Sequence, residues 1–231
     1  MEFDGTQVLI GRGAQADVYM YQGYAYKVYN ASYPKEWIMF EKMQQSAVNN
    51  AGLSSVRYYD TDDEHIIKMD LVEGEALERK VKEGYLEGFD ILAEAFRRVH
   101  AVDIDGISIP RFIDTAGMGL TQEEKDIVIP IIERFTEKMP SCICHLDMHF
   151  LNIMLNKDVN DFTLVDWMNA RIAPPIFDYA RTYVIFDEFA KVALSFYEKA
   201  VAEDIKKLNI TEDDLKEAVK VCKIIRKHER E

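Results

Sequence analysis

The chain has 231 residues, 48% of them hydrophobic, which is enough for one large domain or two modest lobes and too apolar for a disordered segment. Its 28 basic and 41 acidic residues give a formal charge of −13, which repels nucleic acid and anionic membranes and suits cationic or neutral small partners. Three cysteines (Cys142, Cys144, Cys222) are too few for a disulfide framework, no run approaches the length of an apolar membrane span, and the N-terminal segment has no basic-then-apolar leader; a cytoplasmic protein is expected.

From residue 7 to about 72 the chain reads as short strands, QVLIGRG, ADVYMY, YAYKVYN, SVRYYDTD and HIIKMDLV, rich in Tyr, Val and Ile and broken by Gly and Asp. One helix interrupts them. It begins near Pro34 and runs through KEWIMFEKMQQSAV, with Glu41 flanked by Phe40 and Met43 on an expected buried stripe. After "EGEAL" the period lengthens: Ile91, Leu92, Ala95, Phe96 and Val99 fall on one helical face. IFDYARTYVIFDEFAKVALSFYEKAV and TEDDLKEAVKVCKIIRKHERE each read as an amphipathic helix, the second with Thr211 as N-cap. Between the helical blocks, ICHLDMHFLNIML and DFTLVDW read as short strands around a loop. A mostly β segment, 1–72, is thus followed by a mostly α segment, 73–231, giving an α+β fold.

Three stretches carry chemistry. In G-R-G-A-Q-A-D-V, glycines between two strands let backbone N–H groups lie close over phosphates. The next strand alternates, so Ala25 and Lys27 share one face: the ammonium can reach phosphates while the small Ala25 leaves room for a base. Glu36 or Glu41 can hold that lysine; Glu36, in a first helical turn, is accounted for by the helix dipole, which favours Glu41. Asp166 ends the apolar strand "TLVDW" as a potential oxygen ligand. The densest stretch is "CHLDMHFLN", and it admits two readings. His145, Asp147 and His149 alternate along an extended segment and can be read as a metal-hydrolase triad. Asn152, five residues after Asp147, fits instead the aspartate and Mg²⁺-binding asparagine of kinase-like phosphoryl transfer.

Taken in order, G-x-G-x-x-A-x-V-Y, A-x-K, a helical Glu, H-x-D-x-x-x-x-N and V-D-W resemble the aminoglycoside phosphotransferase and choline kinase superfamily. The match spans about residues 8 to 181, and its most specific parts are "HLDMHFLNIML" and "LVDWMNARIAPPIFDYAR". The resemblance implies a protein-kinase-like two-lobed fold: a small, mostly antiparallel β lobe with one helix (1–72) for nucleotide, and a larger α lobe (73–231) for catalysis and substrate. It implies Asp147 as catalytic base and Asn152 and Asp166 as ligands of Mg²⁺. Lys27 would anchor ATP (or GTP) phosphates with Glu41 behind it, and Asp178 would brace the catalytic loop. Ile10, Gly11, Gly13, Val18 and Ala25 would enclose the nucleotide, and Met69, Asp70 and Val72 would form a hinge pairing with the base.

Departures from the protein-kinase pattern sharpen the expectation. Ala16 replaces a third loop glycine, Leu146 stands where a kinase has arginine, and Trp167 and Met168 follow Asp166, so no D-F-G and no A-P-E segment is present. A constitutively assembled small-molecule enzyme is expected, monomeric or weakly dimeric. Its acceptor would be a hydroxyl compound such as an aminoglycoside, a choline-like amino alcohol or a sugar, with Asp187, Glu188 and Glu198 as candidate acids for a cationic one. The alternatives are a catalytically silent nucleotide-binding module and the hydrolase built on His145, Asp147 and His149.

Overall fold

A computed structural model describes residues 3–157 and 161–229. The first part of the chain forms β1 (Val8–Arg12), β2 (Ala16–Tyr21), β3 (Tyr24–Tyr29), α1 (Lys35–Asn50), β4 (Tyr58–Tyr59), β5 (Ile66–Asp70) and β6 (Gly74–Ala76). Then come α2 (Leu77–Lys82), α3 (Gly88–His100), α4 (Phe112–Thr115), α5 (Gln122–Lys138) and β7 (Cys142–Cys144). The last elements are β8 (Ile153–Asn156), β9 (Phe162–Leu164), β10 (Arg171–Ala173), α6 (Ile176–Phe189), α7 (Leu194–Lys207) and α8 (Glu212–His228). Contacts divide the chain into two compact units, 1–75 with 154–168, and 76–153 with 169–231. Asp166 therefore falls in the strand-rich unit, where the sequence places it among the helices.

In the first unit an antiparallel five-stranded sheet is ordered β1-β2-β3-β5-β4. Strand alternation gives it two faces with separate clusters. Ala16, Tyr29 and Ile67 pack with Ile38 of α1, while Tyr21, Tyr26 and Ile66 pack with Phe3 on the other side. Tyrosine and β-branched residues suit such a half-buried pleated surface. The stripe that α1 buries is Ile38, Glu41, Gln44, Gln45 and Val48; Met43 is 61% exposed, so the expected stripe is shifted around the helix. β6 joins β8 and β9 in a second sheet.

In the second unit α6 is buried on nearly every side, from Ile176 through Thr182 and again at Val184–Phe186, which makes it the central helix, with α7 and α8 packed on it. Leu92, Ala95, Phe96 and Val99 of α3 are buried as their spacing requires. The helix expected to run unbroken through IFDYARTYVIFDEFAKVALSFYEKAV is two, because Ala190 leaves helical geometry at φ −146° and α7 begins only at Leu194. α5 is an element beyond those expected. Pro130 interrupts its pattern, yet a capping box of Thr121 with Glu124 starts the helix. Thr211 caps α8 through a second such box with Asp214. Among the described residues no helix is long and apolar enough to cross a membrane.

Candidate active site

The functional side chains of the strand-rich unit gather around Lys27. Its Nζ lies 2.8 Å from Glu41 Oε1 and 3.3 Å from Asp166 Oδ1. Glu41 is buried and is held in turn by two phenols: Tyr29 Oη donates to Oε2, and Tyr58 Oη donates to Oε1 at 3.4 Å. Burial alone would discharge Lys27, but Asp166 and Glu41 outweigh it and hold its pKa well above the ordinary lysine value. The ammonium is thus fixed as a cation. Asp166 sits at φ 64°, in the left-handed region that non-glycine residues rarely occupy, and its carboxylate is 43% exposed. Glu36 has no part in this arrangement. Tyr29 and Tyr58 escaped the sequence reading, although Tyr29, two residues beyond Lys27, necessarily shares its face.

The residues expected to enclose a nucleotide lie in the same unit. β1 carries a register shift between Leu9 and Gly11, and its Ile10 is 48% exposed. Gly13 closes the turn by donating its N–H to Ala16 O at 2.9 Å, and a side chain there would have its Cβ 3.1 Å from that same oxygen. Val18 pairs with Lys27 across the strands, and Ala25, which is buried, pairs with Met69. Asp70 differs from expectation. Its N–H donates to Arg57 O, and its carboxylate accepts from Arg57 N and Tyr59 Oη. Those groups serve the β4–β5 edge, so of the expected hinge only Val72 lies beyond that edge, outside any strand.

The second unit holds the catalytic-loop residues. Asp178, fully buried at the start of α6, accepts the N–H of His145 at 3.0 Å and of Leu146 at 2.9 Å. Leu146 is at φ 56°, and Thr182, one turn further along α6, donates its hydroxyl to Met148 O at 2.7 Å. The loop is thereby pinned before and after Asp147. Asn152 Nδ2 donates to Asp147 O at 2.9 Å and to Asp147 Oδ2 at 3.2 Å, while His149 Nε2 lies 3.5 Å from that Oδ2. Burial favours the neutral acid at Asp147, but the His149 ring, with His145 and Arg181 nearby, outweighs it and holds the pKa down to about 2. His145 is fully buried, and among the described residues His145, Asp147 and His149 do not assemble into a three-donor metal cluster. His100, which bonds Asp178 Oδ2 through Nε2 at 2.9 Å, was missed from the sequence. Thr182 was also missed, though its i+4 spacing from Asp178 is a usable signal.

The acids expected to meet a cationic acceptor are largely compensated. Asp187 pairs with Lys223 and Lys191, and Glu188 with Arg226. Glu198 instead lines a cavity of about 290 Å³ with Tyr179, Tyr183 and Tyr197.

Residues 6–206 match the model of the phosphotransferase enzyme family. Among solved structures the chain is similar to an ethanolamine kinase of Plasmodium vivax, at 11% identity and a TM-score of 0.66 over 97% of this chain and 75% of that one. It is similar to an aminoglycoside-3'-phosphotransferase of type VIII at 15% identity and a TM-score of 0.66, over 95% and 93% of the two chains. A Streptomyces rimosus aminoglycoside phosphotransferase, in complex with ADP and streptomycin, follows at 15% identity and 0.65, over 96% and 94%. These likenesses establish a protein-kinase-like fold. No curated protein matches the chain in sequence.

Proposed function

The chain belongs to the phosphotransferase enzyme family and is a kinase-like small-molecule phosphotransferase; on that premise we propose that it transfers the γ-phosphoryl group of ATP or GTP to a hydroxyl of a small acceptor. Residues 1–72 are proposed as the nucleotide-binding lobe and 73–231 as the catalytic and acceptor-binding lobe. The observation that carries the reading is Lys27, a half-buried cation fixed by Glu41 and Asp166. The aminoglycoside phosphotransferase of similar fold that is complexed with ADP and streptomycin supports nucleotide use and a hydroxyl-bearing acceptor.

Phosphoryl transfer asks for positioning and charge compensation more than for covalent work. Lys27 offsets charge on the nucleotide phosphates. Ile10, Gly11, Gly13, Val18 and Ala25 cover the nucleotide, and the chain just beyond β5, at Val72, faces its base. Asp147 orients the acceptor hydroxyl: Oδ2 is engaged by Asn152 and His149, which leaves Oδ1 to accept the hydroxyl's hydrogen bond and, as the new O–P bond forms, its proton. With a pKa of about 2 this carboxylate is a weak base, so orientation is its larger contribution. Asn152 and Asp166 are proposed as ligands of Mg²⁺. The donor sets fit. Asn152 spends its NH₂ on Asp147 and so presents Oδ1, and Asp166 spends Oδ1 on Lys27, leaving Oδ2 at an exposed position. Mg²⁺, when bound, would neutralise developing charge on the phosphate oxygens.

The test is a phosphorylation screen with ATP or GTP and Mg²⁺ against aminoglycosides, amino alcohols and sugars, read by product mass. Turnover that disappears in Lys27→Met supports the reading. Tight nucleotide binding without transfer to any acceptor would replace it with the silent binding module.

A further inference from the structure

Away from the residues assigned above to catalysis, three donors of the helical unit converge. Cys142 and Cys144 project from β7 with their Sγ atoms 3.8 Å apart, and His100 ends α3, the helix packed on that strand. One ligand atom from each of the three lies within 4.8 Å of the others. Among the described residues this is the one trio of His, Cys, Asp or Glu so arranged.

The spacing suits a cation better than a bond between the sulfurs. Two Zn–S bonds of about 2.3 Å, opened to the tetrahedral angle, place their sulfurs about 3.8 Å apart. A disulfide requires about 2.0 Å and would have to draw the sulfurs together by nearly half. The imidazole is already oriented. Asp178 Oδ2 holds it at Nε2, 2.9 Å away, and the Phe96 and Tyr179 rings flank it, so the remaining ring nitrogen is the one left for a metal. A buried carboxylate behind a ligating histidine is the usual support of such a ligand. The thiols donate to backbone carbonyls: Cys142 to Ala173 O at 3.6 Å, and Cys144 to Ala173 O at 3.5 Å and to Pro174 O at 3.7 Å. Thiolate and imidazole together select d¹⁰ cations over Mg²⁺.

We propose that His100, Cys142 and Cys144 form a binding site for one thiophilic d¹⁰ cation, Zn²⁺ in the first instance, separate from the site of phosphoryl transfer. Binding converts both thiols to thiolates and releases two protons to solvent for each Zn²⁺ held. The ion ties α3 to β7, and Asp178 links it to the backbone of His145 and Leu146.

The reduced, chelator-stripped full chain is titrated with Co²⁺ and then with Zn²⁺. A thiolate-to-cobalt charge-transfer band at one Co²⁺ per chain, displaced by one Zn²⁺, is expected. Cys222→Ser should keep the band, while Cys142→Ser and His100→Gln should each weaken Zn²⁺ binding about 10-fold or more. Alkylation of the unaltered protein is a check independent of whether the variants fold: stoichiometric Zn²⁺ should slow modification of Cys142 and Cys144 and leave Cys222 unchanged. Absence of the band, its survival in Cys142→Ser, no protection from alkylation, or conversion of the pair to a disulfide in place of metal uptake would each overturn the proposal.

Discussion

Leu146 holds a φ of 56° with its N–H 2.9 Å from Oδ1 of Asp178. A branched residue in that region costs about 1–3 kcal/mol and persists only when its surroundings over-determine it. Asp178 does so by taking the N–H groups of both 145 and 146. In Asp178→Asn one acceptor becomes a donor facing an N–H, and leaving that group unsatisfied costs about 1–3 kcal/mol. A lower melting temperature and at least about a 10-fold loss of turnover are expected, checked by thermal melts and initial rates. Unchanged values of both would remove the bracing role.

Lys27→Met should leave the fold near native and strip charge compensation from the nucleotide phosphates. A fall in kcat/KM of about 10²–10³-fold is expected, the range seen when one preorganised electrostatic group is removed. Circular dichroism separates this from unfolding. Activity within a few-fold of the unaltered chain would refute the assignment.

Asp147→Asn should keep nucleotide affinity while turnover falls about 10²-fold or more, as for loss of a positioned general base. Calorimetric nucleotide titration alongside single-turnover transfer distinguishes the two effects. A weakened nucleotide complex with unaltered chemistry would place Asp147 in the wrong role.

Acid should act on the same residue through stability. The Asp147 carboxyl falls from 3.8 to about 2 in the folded chain, so it is the charged form that folding favours. Its contribution, about 2 kcal/mol, is complete above the unfolded pKa and is lost as pH falls through about 2. Urea midpoints of the unaltered chain and Asp147→Asn should therefore converge between pH 5 and pH 2. A constant gap over that window would contradict the proposed ionisation.

Gly74→Ala tests the second sheet. A Cβ at residue 74 would stand 1.9 Å from Leu155 O, so one of the two backbones must move. Destabilisation of about 1–3 kcal/mol is expected, read as a lowered melting temperature. A neutral substitution would show that β6 and β8 separate freely.

Much of this was legible because the signals are local. Strand alternation put Lys27 beside Ala25, and the offset from Asp147 to Asn152 marked a loop that does fold back on itself, amide to carbonyl. Proline and threonine at helix starts marked α1 and α8. The misses are tertiary. The buried stripe expected around Glu41 included Met43, which is exposed, and nothing in α1 announces the two tyrosine hydroxyls from β3 and β4 that make the burial of Glu41 tolerable. No propensity places Leu146 or Asp166 at positive φ, because their surroundings impose it. His100 lies 78 residues from Asp178, and only the packing of the helical unit brings them together.

Asp178 and Thr182 stand one turn apart on α6 and grip the loop on either side of Asp147. The aspartate thus borrows its stiffness from the most deeply enclosed helix of its unit. It has no melting point of its own: heat inactivation and loss of helix should be a single event.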